Sequence, residues 1–299
     1  LMSLTRRRFT QILASTLFLH HLPSFAQSVK FWASRTLPEA QNITRIVSAG
    51  APADLLLLAV APEKMVGFSS FDFARQALIP LPEHIRQFPR LGRLAGRAST
   101  LSLEGLMALH PDLVVDCGNT DETWISQARQ VSEQTQIPWL LLNGKLEQSA
   151  EQLTTLGKTL GEEHRAAEQA NLASRFVGEA QAFATSPAAN LSFYAARGPR
   201  GLETGLQGSL HTEAAELLGL HNVAQIADRH GLTQVSMENL LRWQPDIILV
   251  QEAVTADFIR RDPLWQGVKA VAEQRILFLS GLPFGWLDAP PGINRLLGL

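Results

Sequence analysis

The chain has 299 residues, 45% hydrophobic and 18% charged, which is enough apolar material for one large or two ordinary domains and too much for a disordered chain. Lys and Arg number 26 against 28 Asp and Glu, a net charge of −2, so the basic excess that a nucleic-acid surface needs is missing. Cys117, the single cysteine, excludes an internal disulfide and any multi-cysteine metal or iron–sulfur site, and reads as a small buried hydrophobe.

At the amino terminus, TRRRFTQILASTLFLHHLPSFAQ places arginines at 6, 7 and 8 ahead of a short apolar run over 12–19. Ser24-Phe25-Ala26 then puts small residues at the −3 and −1 positions of a cleavage site, which predicts an export signal over 1–26. The order Thr5-Arg6-Arg7-Arg8-Phe9 resembles the twin-arginine pattern, with a Sec signal or an amphipathic first helix as the alternatives. The apolar run is too short to span a bilayer, and no later window reaches about 18 apolar residues. Gln27 would follow the cut and brings no thiol for a lipid anchor, so the expected location is the periplasm of a two-membrane bacterium.

From Arg45 the pattern is strand, turn, helix: RIVSAG, Pro52 at a first helical position, ADLLLLAV, then KMVGF. A Pro-, Gly- and Arg-rich loop over 81–100 precedes a helix over 101–109 closed by Pro111, the strand DLVVDCG, a helix around 123–134 and the strand WLLLNG. Strands alternating with helices predict parallel sheets covered on both faces. Over 147–185 proline is absent and apolar residues recur at helical spacing, which predicts one helix of roughly 50 Å if continuous; Gly161 and Gly178 are where two shorter helices would part. The alternation then resumes with LSFYAARG, a helix HTEAAELLGL capped by Ser209 or Thr212 and ended by Gly219, then NLLRWQP, DIILVQ and RILFLSG.

One unit is spelled twice: SLEGLMALHPDLVVD over 102–116 and SMENLLRWQPDIILV over 236–250. Each reads as a helix ended by Pro and followed by a buried strand opened by Asp, one copy per α/β half, although a repeat of this kind could also mark a duplicated α/β enzyme.

Two α/β lobes, each with an S-x-E-x-L-x-x-x-x-P-D unit, joined by one long helix and preceded by an export signal, resemble the substrate-binding proteins of ABC importers for iron–siderophores, haem and cobalamin. The resemblance covers Arg45 to the end, with further similarity to its metal-chelate branch in PRLGRLAGR, in ARGPRGLETGLQGSLHTEAAELLGLHNVA and in GWLDAPPGINRLLGL. It implies an α/β fold of two Rossmann-like lobes with parallel sheets joined by a long rigid helix, the class III architecture: signal 1–26, amino-terminal lobe 27–146, interlobe helix 147–185, carboxy-terminal lobe 186–299. Family members continue into another helix, so the end at Leu299 reads as a truncation. The implied function is capture of an iron–siderophore or other metal chelate by a monomer with no cofactor of its own, and its delivery to an inner-membrane permease. Haem, cobalamin, an oxyanion or a free metal ion are the alternative solutes. Glu104 and Glu238 match family positions that meet arginines of the permease, the alternative being stabilisation of a helix start.

Ligands of open parallel sheets sit outside the carboxyl ends of strands. In the first lobe this nominates Ala51, Pro52, Phe71 and Asn119, with Arg93 able to reach the same side; in the second it nominates Tyr194, Arg197, Glu252, Phe284 and Trp286. Guanidinium groups suit carboxylate or catecholate oxygens and aromatic faces suit flat rings, which is what anionic chelates require. Arg93 and Arg197 read equally as surface residues. Tyr194, the only tyrosine, reads either as strand packing or as a haem-iron ligand. Direct metal ligation by the protein is not expected; His211, at a helix start, is the one histidine nominated, with a cap-region role as its alternative. No G-x-S-x-G, P-loop, H-E-x-x-H or tight G-x-G-x-x-G follows a strand, so an enzyme is not expected; a hydrolase or chelatase using Cys117 or His211, or a periplasmic adaptor that binds only protein, is the rival reading.

Overall fold

The computed structural model describes residues 30–76, 81–94, 99–281, 285 and 287, the side chain of Ala188 apart. The nominated Phe284 and Trp286, and the export signal, lie outside these residues.

The first sheet is built from β1 (Phe31–Ala33), β2 (Ile46–Ser48), β3 (Leu113–Gly118) and β4 (Trp139–Asn143) in the order β1-β4-β3-β2. Pairing is parallel except at β1, which runs antiparallel along β4. Along β3, Leu113, Val115 and Cys117 enter one core and Val114 the other, the two-residue period of a strand buried on both sides. The first core is closed by α1 (Ala51–Val60), the second by α3 (Leu103–Ala108) and α4 (Glu122–Thr135), with the one-turn α2 (Glu83–Arg86) between. Cys117 is buried in this packing, as its sequence suggests.

The 147–185 segment is two helices and not the single one expected from its periodicity. α5 (Ser149–Leu160) stops at Gly161, whose φ of +71° lies in the left-handed region, and α6 (Glu163–Phe183) begins at once. A Cβ on Gly157 would sit 2.2 Å from the Ala166 Cβ, so this glycine is what lets α6 fold back against α5. The apolar period runs through both helices because both bury a face in the first lobe: Leu153, Leu156 and Leu160 from α5, Ala166, Ala170 and Ala173 from α6. The crossing is left to α6, whose 21 residues span about 32 Å and whose far end at Ala184 lies against Gly219 of the second half.

The second sheet takes β5 (Ser192–Ala196), β7 (His221–Asn222), β9 (Ile247–Val250) and β10 (Ile276–Phe278) in the order β10-β9-β5-β7, all parallel. A two-stranded antiparallel ribbon of β6 (Glu203–Gly205) and β8 (Leu232–Gln234) extends from it. α7 (Glu213–Leu217), α8 (Met237–Trp243), α9 (Ala253–Arg261) and α10 (Lys269–Ala272) accompany this sheet.

Each copy of the repeated unit sits in its own sheet, and its letters do the same work twice. Ser102 caps α3 by accepting the Gly105 N–H at 3.0 Å; Ser236 caps α8 by accepting that of Asn239 at 3.2 Å. Leu106 and Leu240 are fully buried. His110 and Gln244 turn the chain out of the helix with φ of 47° and 44°. Asp112 accepts the Thr44 and Arg45 N–H groups at 2.8 and 2.9 Å, and Asp246 accepts the Ser192 N–H at 2.9 Å, so each aspartate ties down the start of the neighbouring parallel strand. Burial acts to raise the Asp112 carboxyl, but the Thr44 and Arg45 donors outweigh it; the Ser192 donors lower Asp246 directly.

Candidate functional site

On the first sheet the carboxyl end of β2 runs through Ala49 into α1, and Ala51 and Pro52 stand half-buried in its first turn. Beside them the chain at Met65 and Phe68 makes parallel bridges to Ile46 and Arg90 before turning over the sheet edge. Asp54, 0% exposed, holds that turn: its Oδ1 accepts the Ser69 N–H at 2.8 Å, and its Oδ2 accepts the Ser70 N–H and the Ser69 hydroxyl, both at 3.0 Å. Burial raises the Asp54 carboxyl, and these donors, with the Ser48 hydroxyl, pull the other way. Phe71 follows half-buried, stacked on Phe73 with ring centres 5.1 Å apart and planes 7° from parallel.

The backbone at Arg93 is fixed beside the same end of β2: Leu94 donates its N–H to the Ala49 carbonyl at 2.9 Å, while the Arg93 carbonyl accepts from the N–H groups of Thr100 and Leu101 at 2.9 and 3.0 Å. Asn119 is exposed just beyond β3. One face therefore gathers Ala51, Pro52, Phe71 and Arg93, with Asn119 at the next strand end.

Across the molecule Arg197 leaves the carboxyl end of β5. Its backbone pairs with Glu203 in both directions, at 2.9 and 3.1 Å, and its Nε lies 3.8 Å from Glu203 Oε1. The turn after it is gripped from inside: Thr255 donates its hydroxyl to the Gly198 carbonyl at 2.7 Å, Trp265 its indole N–H to the Arg200 carbonyl at 3.2 Å, and Tyr194 its hydroxyl to the Gly201 carbonyl at 2.8 Å. Tyr194 is thus not a solute-contacting residue, as an expected strand-end position had suggested. It is 0% exposed and packs with Trp243 and Trp265; it lies in the middle of β5, in one of the two cores that cover this sheet, where burial raises its hydroxyl above the ordinary range.

Glu252 is exposed at the start of α9 and accepts the Thr255 hydroxyl at 3.2 Å. Gln251 Oε1 accepts the Leu287 N–H at 3.4 Å, bringing the distal chain back to the end of β9. His211 is half-buried with its backbone N–H on Ser209 Oγ at 3.1 Å, and among the described residues no group of three or more His, Cys, Asp or Glu side chains is placed to hold a metal ion. Sequence patterns carried no signal for Asp54, Thr255 or Trp265, whose roles depend on where distant backbone passes.

The halves touch at Glu213 Oε1, which accepts the Leu146 N–H at 3.0 Å. Leu146 lies just past β4, at the carboxyl end of the first sheet; α7 feeds parallel β7, so its amino end, with Glu213, lies on the carboxyl side of the second. The two sheets meet through the sides that carry Arg93 and Arg197. Glu104 and Glu238 are both exposed, Glu238 with an ion pair to Arg242 at 3.7 Å, and each is one helical turn from an exposed apolar residue, Met107 or Leu241, both 43% exposed.

Two doubly covered α/β lobes in contact at their strand ends define the architecture of a bilobal solute-binding protein. The chain matches the periplasmic binding protein family over residues 46–281 and belongs to it. It is similar to an ABC transporter solute-binding protein from Sulfurospirillum deleyianum, with 27% identity and a TM-score of 0.75 over 88% of this chain and 82% of that one. The molybdate periplasmic binding protein MolA of Haemophilus influenzae aligns at 20% identity and TM-score 0.65, covering 88% and 86% of the two chains. The vitamin B12 binding protein BtuF of Vibrio cholerae aligns at 20% identity and 0.66, covering 86% and 93%. No curated protein sequence matches the chain. Family and structural neighbours are solute-binding proteins of ABC transporters and not enzymes, and among the described residues no helix is long and apolar enough to cross a membrane.

Proposed function

We propose that the protein captures a ferric siderophore or related metal chelate between its two lobes, in the periplasm, and delivers it to the permease of an ABC importer. The observation that carries the solute class is one arginine in each lobe, Arg197 just past the end of β5 and Arg93 in the loop whose next residue, Leu94, bonds the Ala49 carbonyl just past β2, with the half-buried ring of Phe71 in the neighbouring turn. Two guanidinium groups suit the carboxylate or catecholate oxygens at the rim of a chelate, and an aromatic face suits its planar parts. Periplasmic placement draws on the family and on the predicted signal over 1–26. Glu104 and Glu238, one per lobe, are proposed as the two acidic points that fix the protein's orientation on the permease.

A thermal-shift panel of ferric catecholate and hydroxamate siderophores, haem, cobalamin, molybdate and free divalent metals tests the solute class. A rise in melting temperature with a ferric siderophore is expected. Stabilisation by a free divalent metal alone would overturn the proposal.

A further inference from the structure

We infer that Asp54 is a positioning residue for the solute site: by holding the backbone of Ser69 and Ser70 it fixes where Phe71 stands on the cleft rim. The inference rests on the reading above, that this rim contacts the solute. Asp54 is sealed from solvent, yet it does not pair with a cation among its hydrogen-bond partners in the described residues; three of its bonds go to two consecutive residues of one turn, two of them to backbone N–H groups. A buried carboxylate with such a concentrated set of donors is a costly way to stabilise a core but an effective way to lock one turn. Other ties hold the flanks and the carbonyl side of the turn: Phe68 bridges Arg90, Phe68 and Phe73 are buried in the core, and the Gly92 N–H donates to the Ser69 carbonyl at 3.1 Å, while the carboxylate takes the N–H groups of Ser69 and Ser70. Phe71 is the first large side chain after the clamped residues, and its stack on Phe73 leaves it only half-buried. A rim held rigid in the free protein loses less freedom when solute arrives, which tightens binding without adding a contact.

The test is Asp54→Asn. It keeps volume and an acceptor for the Ser69 N–H, but can set an NH2 group against the Ser70 N–H and the Ser69 hydroxyl. In solute-free protein, hydrogen exchange at the Ser69 and Ser70 amides should accelerate about tenfold or more, with β3 and β4 unchanged. Affinity for the ferric tris-catecholate of 2,3-dihydroxybenzoate should fall about tenfold, and that fall should disappear in a Phe71→Ala background, because the aspartate acts through the ring. A general loss of stability would instead weaken binding equally in both backgrounds, and that result, or unchanged amide exchange, overturns the inference. Should Asp54→Asn fail to fold, Ser69→Ala removes one donor and leaves the carboxylate in place; smaller changes in the same directions are expected, and no change overturns the inference. If wild type binds none of the ferric, haem, cobalamin or molybdate probes, the functional reading fails together with the solute half of this inference, while the amide rates still decide whether Asp54 holds the turn.

Discussion

Asp116 should weaken the folded protein at neutral pH, and Asp116→Asn should relieve it. The side chain is 6% exposed on central strand β3, and its one hydrogen bond among the described residues is from the adjacent Cys117 N–H to Oδ1 at 2.8 Å. Burial, opposed by that single donor, raises the carboxyl from 3.8 to about 6. At about 1.4 kcal/mol per pH unit, the interval corresponds to about 3 kcal/mol. The sign follows from linkage: the folded state holds the proton more tightly, so the favourable contribution is complete below the unfolded value near 3.8 and is lost as pH rises through about 6. Asparagine has nearly the same shape, keeps the acceptor for Cys117 and never ionises. Urea unfolding followed by tryptophan fluorescence should therefore find the variant up to about 3 kcal/mol more stable than wild type at pH 7.5, with the gap closing towards pH 4. A variant less stable than wild type at pH 7.5, or a gap that does not change with pH, would refute this account of the site.

Asp246→Ala removes the acceptor for the Ser192 N–H and hydroxyl, and chemical denaturation at pH 7 should show a loss of about 1–3 kcal/mol. Because the Asp246 carboxyl is held below its ordinary value, that loss should shrink as pH falls through the folded value, which a denaturation series into acid would follow. Gly219→Ala puts a side chain where φ is +85° and where its Cβ would lie 2.9 Å from the Ala184 Cα; thermal melting should report about 1–3 kcal/mol of destabilisation at the junction of α6 with the second lobe. Replacing both Glu104 and Glu238 with Lys should leave fold and solute affinity unchanged and weaken association with the permease in nanodiscs, more at low salt than at high, each single change doing less.

The alternation of strands and helices and the duplicated unit were legible because they rest on local periodicity and punctuation: Pro111 and Pro245, Ser102 and Ser236, and the apolar runs of β3 and β9 mean the same in the chain as in the fold. β1 was not legible, since three residues acquire strand character only from β4, more than a hundred positions away. The division of 147–185 at Gly161 was visible as a weak point, but only the close approach of Gly157 to Ala166 decides that the chain turns back there. At the candidate site, Arg197 follows the end of β5, and Arg93 lies in the loop between Arg90 and α3. Tyr194 shows the limit of the strand-end rule: it stands in the middle of β5, where both faces of the sheet are covered, with Tyr194 in one core and Phe193 in the other. Asp54 and Thr255 carry no motif at all, because what they hold are backbone groups brought in from loops distant in sequence.

The central claim is that an anionic metal chelate is held through Arg93 and Arg197. Titration of tryptophan fluorescence with a ferric siderophore, run on wild type and on the Arg93→Ala, Arg197→Ala double variant of unchanged melting temperature, tests it most directly. Saturable one-to-one binding by wild type, weakened about a hundredfold or more in the double variant, is the expected result, since each charge-assisted contact contributes about 1.5–3 kcal/mol. Equal affinity in the two proteins, or binding of free metal ion with none of the chelate, would contradict it.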